Sequence, residues 1–141
     1  MVSNLSIEYA RTLLKRAKDY LYSAEKNYVE GLYDVSIVEA EIASQLAIKS
    51  LIIKLGFEPP RTHRIRRLLS FIIENKLLDK DLINKLRVFI KTYRRDLIIL
   101  ERAREAGQYG SLSVDKEEAE IILNIAREVV RIAKELWSMA P

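Results

Sequence analysis

One histidine and its neighbouring arginines are the first residues whose types suggest chemistry. His63 is the only histidine in the 141-residue chain, and it lies in Arg61-Thr62-His63-Arg64, with Arg66 and Arg67 just beyond. The first-turn N–H groups of a helix and guanidinium groups both bind phosphate, so the segment predicts an anion site at a helix start. The alternative is structural: His63 packs against the preceding loop and the arginines are solvated. With no second histidine and no cysteine nearby, the segment does not indicate a metal site.

A second cationic group lies further along the chain, where Arg102 and Arg104 are followed by Gln108-Tyr109-Gly110. Arginine makes planar, two-pronged contacts with phosphate and tyrosine can stack on a base, so these residues predict a nucleic-acid surface. The alternative is a helix end whose arginines offset the helix dipole. Tyr93, just upstream, follows the helical spacing of Phe89 and is predicted to lie in the core.

Several chemistries are excluded by what the sequence lacks. It has no GxGxxG or GxxxxGK pattern, so glycine loops that cradle phosphates are excluded. It has no cysteine and no Glu-x-x-His, which removes thiolate zinc sites, disulfides, cysteine nucleophiles and bundle di-iron sites. The acidic clusters, Glu39 with Glu41 and Glu117, Glu118 with Glu120, have spacings that do not place side chains on one helical face. We therefore predict solvated acids, no metal and no cofactor.

Helices must position these residues. Apolar residues recur at three- and four-residue steps, and neither a strand-period run nor an internal repeat stands out. The pattern predicts four long helices and one short one, packed as an all-α antiparallel bundle in a single domain over residues 1–141. The predicted helices run from Leu5 to Glu30, from Asp34 or Ser36 to Leu55, from His63 to about Asn75, from Lys80 to Ala103, and from Ser113 or Asp115 to Met139.

Local signals mark the helix ends. Gly31 and Gly56 are predicted to end the first two helices, and Ser36 with Glu39 forms a predicted capping box at the start of the second. The segment Ala106 to Ser113, with two glycines and two serines, is the one stretch with sustained loop chemistry. The other predicted caps are Asn4 or Ser3 for the first helix, Thr62 for the third and Asp79 for the fourth.

The second helix has an unusually wide apolar face. Ile37, Ile48 and Ile53 lie outside the stripe formed by its other apolar residues. A helix that is apolar on more than one side is buried on more than one side. The pattern predicts either a central helix or a helix that is also buried in a dimer.

Charge is unevenly distributed along the chain. The net charge is +4, but residues 61–104 carry 13 basic and 5 acidic residues, a net of +8, between segments of −1 and −3. Such an asymmetry suits a polyanionic partner, although two helices with solvated basic faces give the same count. No apolar run is long enough to span a membrane and the first residues do not resemble a signal peptide. We expect a cytoplasmic protein, and a composition rich in Ile, Lys, Arg and Glu leans toward a thermophilic source.

Two segments together resemble the HEPN family, small all-helical domains common in archaea and bacteria. The first runs from Tyr33 through Ala43-Ser44-Gln45 and Lys49 to Leu55-Gly56, and on through Pro59-Pro60 to Thr62-His63. It is similar to the second helix of the family and the turn after it. The second, Leu100 to Gly110, resembles the turn after the penultimate helix of the family. The resemblance covers nearly the whole chain.

Active members of that family are metal-independent ribonucleases that carry an arginine, four to six residues and then a histidine. In this chain five residues separate Arg102 from Gln108, which stands where the family has histidine. An amide has no pKa that suits proton transfer. The residues five to seven before His63 include no arginine. The resemblance therefore implies a domain that does not cut RNA, with a ribonuclease using Arg102 and Gln108, or using His63, as the alternative.

The resemblance also implies partners. It implies an RNA- or nucleotide-binding domain that forms a homodimer and is paired with a minimal nucleotidyltransferase as a toxin and antitoxin. A third class is a protein-interaction module whose arginines meet an acidic partner. On this chain the implied binding residues are Arg102, Arg104, Gln108 and Tyr109, with His63, Arg64 and Arg61 as a second cluster.

Overall fold

The computed structural model of the chain describes residues 4–140. That part of the chain contains seven helices and no strand, which confirms the predicted all-α bundle. The helices are α1 (Asn4–Val29), α2 (Tyr33–Lys54), α3 (Ile65–Glu74), α4 (Lys80–Thr92), α5 (Arg94–Glu101), α6 (Ala103–Tyr109) and α7 (Lys116–Met139). Within the described residues, none of these helices combines the length and the apolar character needed to cross a bilayer.

The central helix of the bundle is α2. It packs along α1 and also contacts α7, α6 and α3. Twelve of its 22 residues are buried, and at 100° per residue they cover an arc of about 220° around the helix. Ile37 and Ile48, which broaden its apolar face, are fully buried inside the chain. The central position of α2 therefore accounts for Ile37 and Ile48, whereas Ile53, the third residue outside the stripe, is only partly buried.

Two long helices flank α2. Ala10, Ala17 and Ala24 of α1 are fully buried, and such small side chains let two helices approach closely. The last helix, α7, contributes a stripe of larger apolar residues at three- and four-residue steps. Its buried residues include Ile122, Ile125, Val129, Ile132 and Leu136.

Most of the predicted helix ends are confirmed. Gly31 and Gly56 have φ of 80° and 93°, the left-handed conformation that only glycine adopts easily. Asp79 and Asp115 each accept a hydrogen bond from the backbone N–H three residues further on, at 3.0 and 2.8 Å. Ser3, one of the two predicted caps of α1, lies outside the described residues.

The predicted capping box of the second helix is wrong. That helix begins at Tyr33, and no side chain caps it. Ser36 instead donates to a backbone carbonyl of α1 at 2.7 Å, and Glu39 accepts hydrogen bonds from two side chains of α1. Asp34 accepts from the backbone N–H of Val114 at 2.9 Å. Ser36 and Glu39, which the local spacing assigned to a cap, therefore form hydrogen bonds to α1 instead.

The third helix begins later than predicted. It starts at Ile65, so His63 belongs to the loop before it rather than to its first turn. Thr62 does not cap it: its hydroxyl oxygen accepts from the backbone N–H of Arg64 at 3.2 Å, which closes a turn ahead of the helix.

The predicted fourth helix, from Lys80 to Ala103, is divided into α4 and α5, and its last residue, Ala103, begins a further helix, α6. The chain bends at Tyr93 and again at Arg102, although neither position has a proline or glycine beside it. The bends let α4, α5 and α6 each bury a face, including Phe89, Leu97 and Ala103. Ala106 to Tyr109, predicted as loop, belong to α6.

Candidate functional site

A buried carboxyl group and a buried amide lie side by side on the central helix. Glu41 and Gln45 are one turn apart on α2, exposed by only 1% and 3%. The amide nitrogen of Gln45 donates to Oε1 of Glu41. Glu41 was predicted to be solvated, and that prediction is wrong. A buried carboxylate is costly unless it is hydrogen-bonded or paired with a cation, so further partners must reach it.

One of these partners is Arg104 of α6. Its Nε donates to Oε2 of Glu41 at 3.1 Å, and the two side chains are 35% and 2% exposed. The bend at Arg102 starts the short helix that carries Arg104 back against α2. Arg104 is thus largely neutralised by its own chain.

The histidine joins the same network through Gln45. Nδ1 of His63 lies 3.1 Å from Oε1 of Gln45. Because the amide nitrogen of Gln45 is directed at Glu41, its oxygen faces His63 and can only accept. We therefore assign the donating proton to Nδ1, so that Nε2 is the proton acceptor whenever the ring is neutral. His63 and Arg104, from the two predicted clusters, meet at Glu41 and Gln45.

A lysine one turn further along α2 completes the network. Nζ of Lys49 lies 3.4 Å from Oε1 of Gln45. Burial lowers the pKa of Lys49, and the nearby positive charge of Arg104 lowers it further, while Glu41 opposes the shift. Burial raises the pKa of Glu41, although Gln45 and Arg104 oppose that shift. The buried environment of the site thus disfavours the charged forms of both Lys49 and Glu41.

The start of α3 holds a carboxylate of the same chain. Glu101, at the end of α5, accepts from the backbone N–H of Arg66 at 2.9 Å and from its Nε and Nη2 at 3.0 and 3.1 Å. The Glu101 side chain is 8% exposed. The anion site predicted at this helix start is therefore occupied internally, because Glu101 takes the place that a phosphate would have.

Other arginines near this helix start remain available. A groove of about 470 Å³ is lined by Arg64 and Arg67 together with Arg66, Glu101 and Glu74. Arg64 and Arg67 are exposed, and neither side chain forms an ion pair among the described residues. We call these five residues, with Pro60, Ser70 and Phe71 that complete the lining, the arginine groove.

The remaining predicted site residues lie outside the network. Arg61, Arg102, Gln108 and Tyr109 are exposed, Tyr109 by 80%. Their side chains make no hydrogen bond or ion pair within residues 4–140. Arg102 directly follows Glu101 of the arginine groove, whereas Gln108 and Tyr109 lie at the far end of α6.

Sequence reasoning missed the residues that connect the site. Glu41, Gln45 and Lys49 recur at four-residue steps on a helix that is rich in apolar residues. That spacing places three polar side chains in one row on a helix face. A polar row on a helix predicted to be central was the signal that could have identified them.

The role of Glu101 leads to a stability prediction. Glu101→Gln keeps one acceptor for the backbone of Arg66 but removes the charged two-pronged pair, so we expect the free energy of unfolding to fall by about 1–2 kcal/mol. Urea denaturation measures it. Glu74→Gln removes the same charge from the arginine groove without a hydrogen bond to a helix start, and it should change stability by less than about 0.5 kcal/mol. Equal effects of the two variants would contradict the assignment.

Comparisons with known proteins agree with this architecture. A family model described as HEPN domain matches residues 10–136. Among solved structures, the chain is similar to the crystal structure of a protein from Thermus thermophilus, with a TM-score of 0.68, 21% identity, and coverage of 90% of this chain and 97% of that chain. At that identity the likeness supports the fold alone. No curated protein matches the chain.

Proposed function

Because the chain belongs to the HEPN domain family, we propose that it is a phosphate-binding helical domain that binds RNA or a nucleotide and does not cut RNA. The observation that carries the proposal is the arginine groove, where Arg64 and Arg67 have no carboxylate partner among the described residues while Arg66 beside them is neutralised. A guanidinium group without an internal partner is free to bind phosphate. Arg102, exposed next to Glu101, extends the same basic surface.

The absence of cleavage rests on the chemistry of Gln108. Cleavage of RNA without a metal needs a group that takes the proton of the ribose 2′-OH, and an amide side chain cannot do so. Gln108 is exposed at the end of α6 and has no partner among the described residues that would alter its chemistry. The proposal therefore assigns to this region binding through Arg102, with stacking by Tyr109.

RNA affinity tests the proposal. We expect Arg64→Ala, Arg67→Ala and Arg102→Ala each to weaken binding of a labelled single-stranded RNA several-fold at low salt, measured by fluorescence anisotropy. Each should also reduce the slope of log affinity against log salt by about 0.7–1, because one phosphate contact is lost. Arg16→Ala, which removes one exposed charge from α1, is the matched control and should leave the slope unchanged. Variants that all bind like the unmodified protein would contradict the proposal.

A second candidate function is a metal-independent ribonuclease that uses His63. The observation that favours it is the orientation of the ring, because Gln45 holds Nδ1 and leaves Nε2 as a proton acceptor in an exposed side chain. Arg64 is the adjacent residue and can stabilise a phosphate transition state.

Incubation of purified protein with labelled RNA in EDTA distinguishes this second candidate from the first. We expect no cleavage. Cleavage that is lost in His63→Ala and kept in Gln108→Ala would establish the ribonuclease. Cleavage that is lost in Gln108→Ala instead would point to a site formed by Arg102 and Gln108.

The proposal includes partners of the kind that the family resemblance implies, a second copy of the chain and a nucleotidyltransferase. Exposed apolar side chains support a protein interface. Leu32 and Val35, which line a surface hollow together with Ser113, are both 48% exposed. Leu112, next to Ser113 in the sequence, is 84% exposed. Light scattering at micromolar concentration tests the dimer. A mass near 16.4 kDa would contradict it.

A further inference from the structure

A cavity separate from the arginine groove lies where the beginning of α1 meets the last turns of α2 and the loop after it. Its volume is about 640 Å³, and its walls are mainly apolar, with Tyr9 and Leu13 from α1, Ile53 from α2 and Phe57 from the loop. Two cations, Lys49 and Arg61, also line it. We propose that this cavity binds a small organic anion, with a flat apolar body against the aromatic side chains and an acidic group paired with Lys49.

The charge of the cavity supports an anionic ligand. Lys49 is half-buried, and its one hydrogen-bonding contact within the described residues is the amide oxygen of Gln45 at 3.4 Å. Glu58 is the one acidic residue in the lining, and it is exposed and forms no ion pair in the part of the chain that the structure describes. A partly buried ammonium group without a carboxylate in contact is costly to the fold. An anion bound in the cavity would supply the missing charge.

The pKa of Lys49 reflects the same cost of holding a partly buried positive charge. Burial and the nearby Arg104 both lower the pKa of its ammonium group, and Glu41, already paired with Arg104, offsets only part of that shift. A residue that lowers stability where it stands is commonly kept for function. A neutral residue of the same length would fill the space beside Ile53 without that cost.

The shape of the cavity supports a flat apolar body. Its volume falls within the range of about 300–1,000 Å³ typical of small-molecule sites. Tyr9 and Phe57 present aromatic side chains that are 52% and 47% exposed, and exposed aromatic faces stack on planar ligands. Pro59 and Pro60 fix the loop that forms one wall.

This inference does not depend on the proposed function. Arg64 and Arg67, which carry the proposal for RNA or nucleotide phosphate, do not line this cavity. Loss of RNA binding in Arg64→Ala would therefore leave the cavity ligand bound, and the two proposals can fail separately.

Two aromatic anions from different sources, 2-naphthoate and adenosine monophosphate, test the proposal on the full chain. We expect at least one of them to bind in calorimetry and to shift the backbone amide signals of Ile53, Gly56 and Phe57. Lys49→Met should weaken the binding of that anion by about tenfold, the loss expected for one charge-assisted hydrogen bond. The neutral 2-naphthamide should bind the unmodified protein and Lys49→Met with equal affinity. Inorganic phosphate should leave the three amide signals unshifted. Lys18→Met, an exposed change on α1, is the control variant.

A melting experiment without ligand completes the test. We expect Lys49→Met to unfold at a higher temperature than the unmodified protein, because burial and Arg104 both oppose the charge. Ile53→Trp, which fills the cavity and keeps Lys49, should abolish binding of either anion. Failure of both anions to shift the three amide signals, or equal affinity in Lys49→Met, would overturn the proposal. Binding of one anion alone identifies the ligand class.

Discussion

Gly107→Ala is expected to lower the free energy of unfolding by about 2 kcal/mol, although alanine is the better helix former. A Cβ at this position of α6 would lie 2.6 Å from the carbonyl oxygen of Asp34 and 2.6 Å from Cγ2 of Val38, both in α2. Helix propensity favours the change by about 1 kcal/mol. Forcing extra volume into a close contact costs about 1–3 kcal/mol or more. The contact should outweigh propensity because one of the two atoms belongs to the backbone and cannot rotate away.

The neighbouring residue provides the matched control for Gly107. Ala106 is exposed on the same helix, so Ala106→Gly changes propensity without changing a contact and should cost about 1 kcal/mol. Urea denaturation of both variants separates the two effects. If Gly107→Ala proves more stable than the unmodified protein, α6 does not approach α2 as closely as the structure places it. Since α6 carries Arg104, the variant should also weaken the ion pair with Glu41.

The parts of the fold that depend on local chemistry could be predicted from the sequence. Gly31 and Gly56 end helices because the chain needs a positive φ there, and Asp79 and Asp115 cap helices through a backbone N–H three residues away. These features involve a few consecutive residues. Sequence spacing is enough to find them.

The bends and the diverted caps could not be predicted in the same way. Ser36 has the spacing of a cap, but the carbonyl of Ala24, twelve residues away, takes its hydroxyl group. The bends at Tyr93 and Arg102 carry no proline or glycine signal, and they follow from how α4, α5 and α6 pack on the core. Whether such a residue forms a local cap or a contact with another helix depends on the three-dimensional arrangement of the helices.

The candidate site shows the same division. The sequence identified His63 and Arg104 as residues with chemistry, and the structure brings them together through Glu41 and Gln45. It did not indicate that Glu101 would occupy the start of α3, because its partner Arg66 lies 35 residues earlier. Residue types suggest the chemistry that is available, whereas pairing decides which arginines remain free for a ligand.

Arg104→Ala is expected to be the most destabilising single change in the site. It leaves the carboxylate of Glu41, 2% exposed, without its cation. Removing one partner of a fully buried pair costs about 3–5 kcal/mol. Arg104 is 35% exposed, and solvent screening reduces the loss to about 2–3 kcal/mol. Arg102→Ala, two residues earlier on an exposed side chain, should change stability by less than about 0.5 kcal/mol.

The loss should depend on pH in a defined direction. Burial already raises the pKa of Glu41 above its ordinary value, and removal of Arg104 raises it further. A carboxyl group with a raised pKa binds its proton more tightly in the folded state, so the folded state gains stability as the pH falls. The difference in stability between Arg104→Ala and the unmodified protein should therefore be largest at about pH 7 and smaller at about pH 5.

A double variant isolates the buried charge as the cause. Glu41→Gln keeps the size of the side chain and removes its charge, so Glu41→Gln combined with Arg104→Ala should be more stable than Arg104→Ala alone at about pH 7. Its loss of stability relative to the unmodified protein should no longer become smaller as the pH falls from about 7 to about 5. A loss in Arg104→Ala that is the same at both pH values, and is not reduced by Glu41→Gln, would show that Arg104 acts through packing.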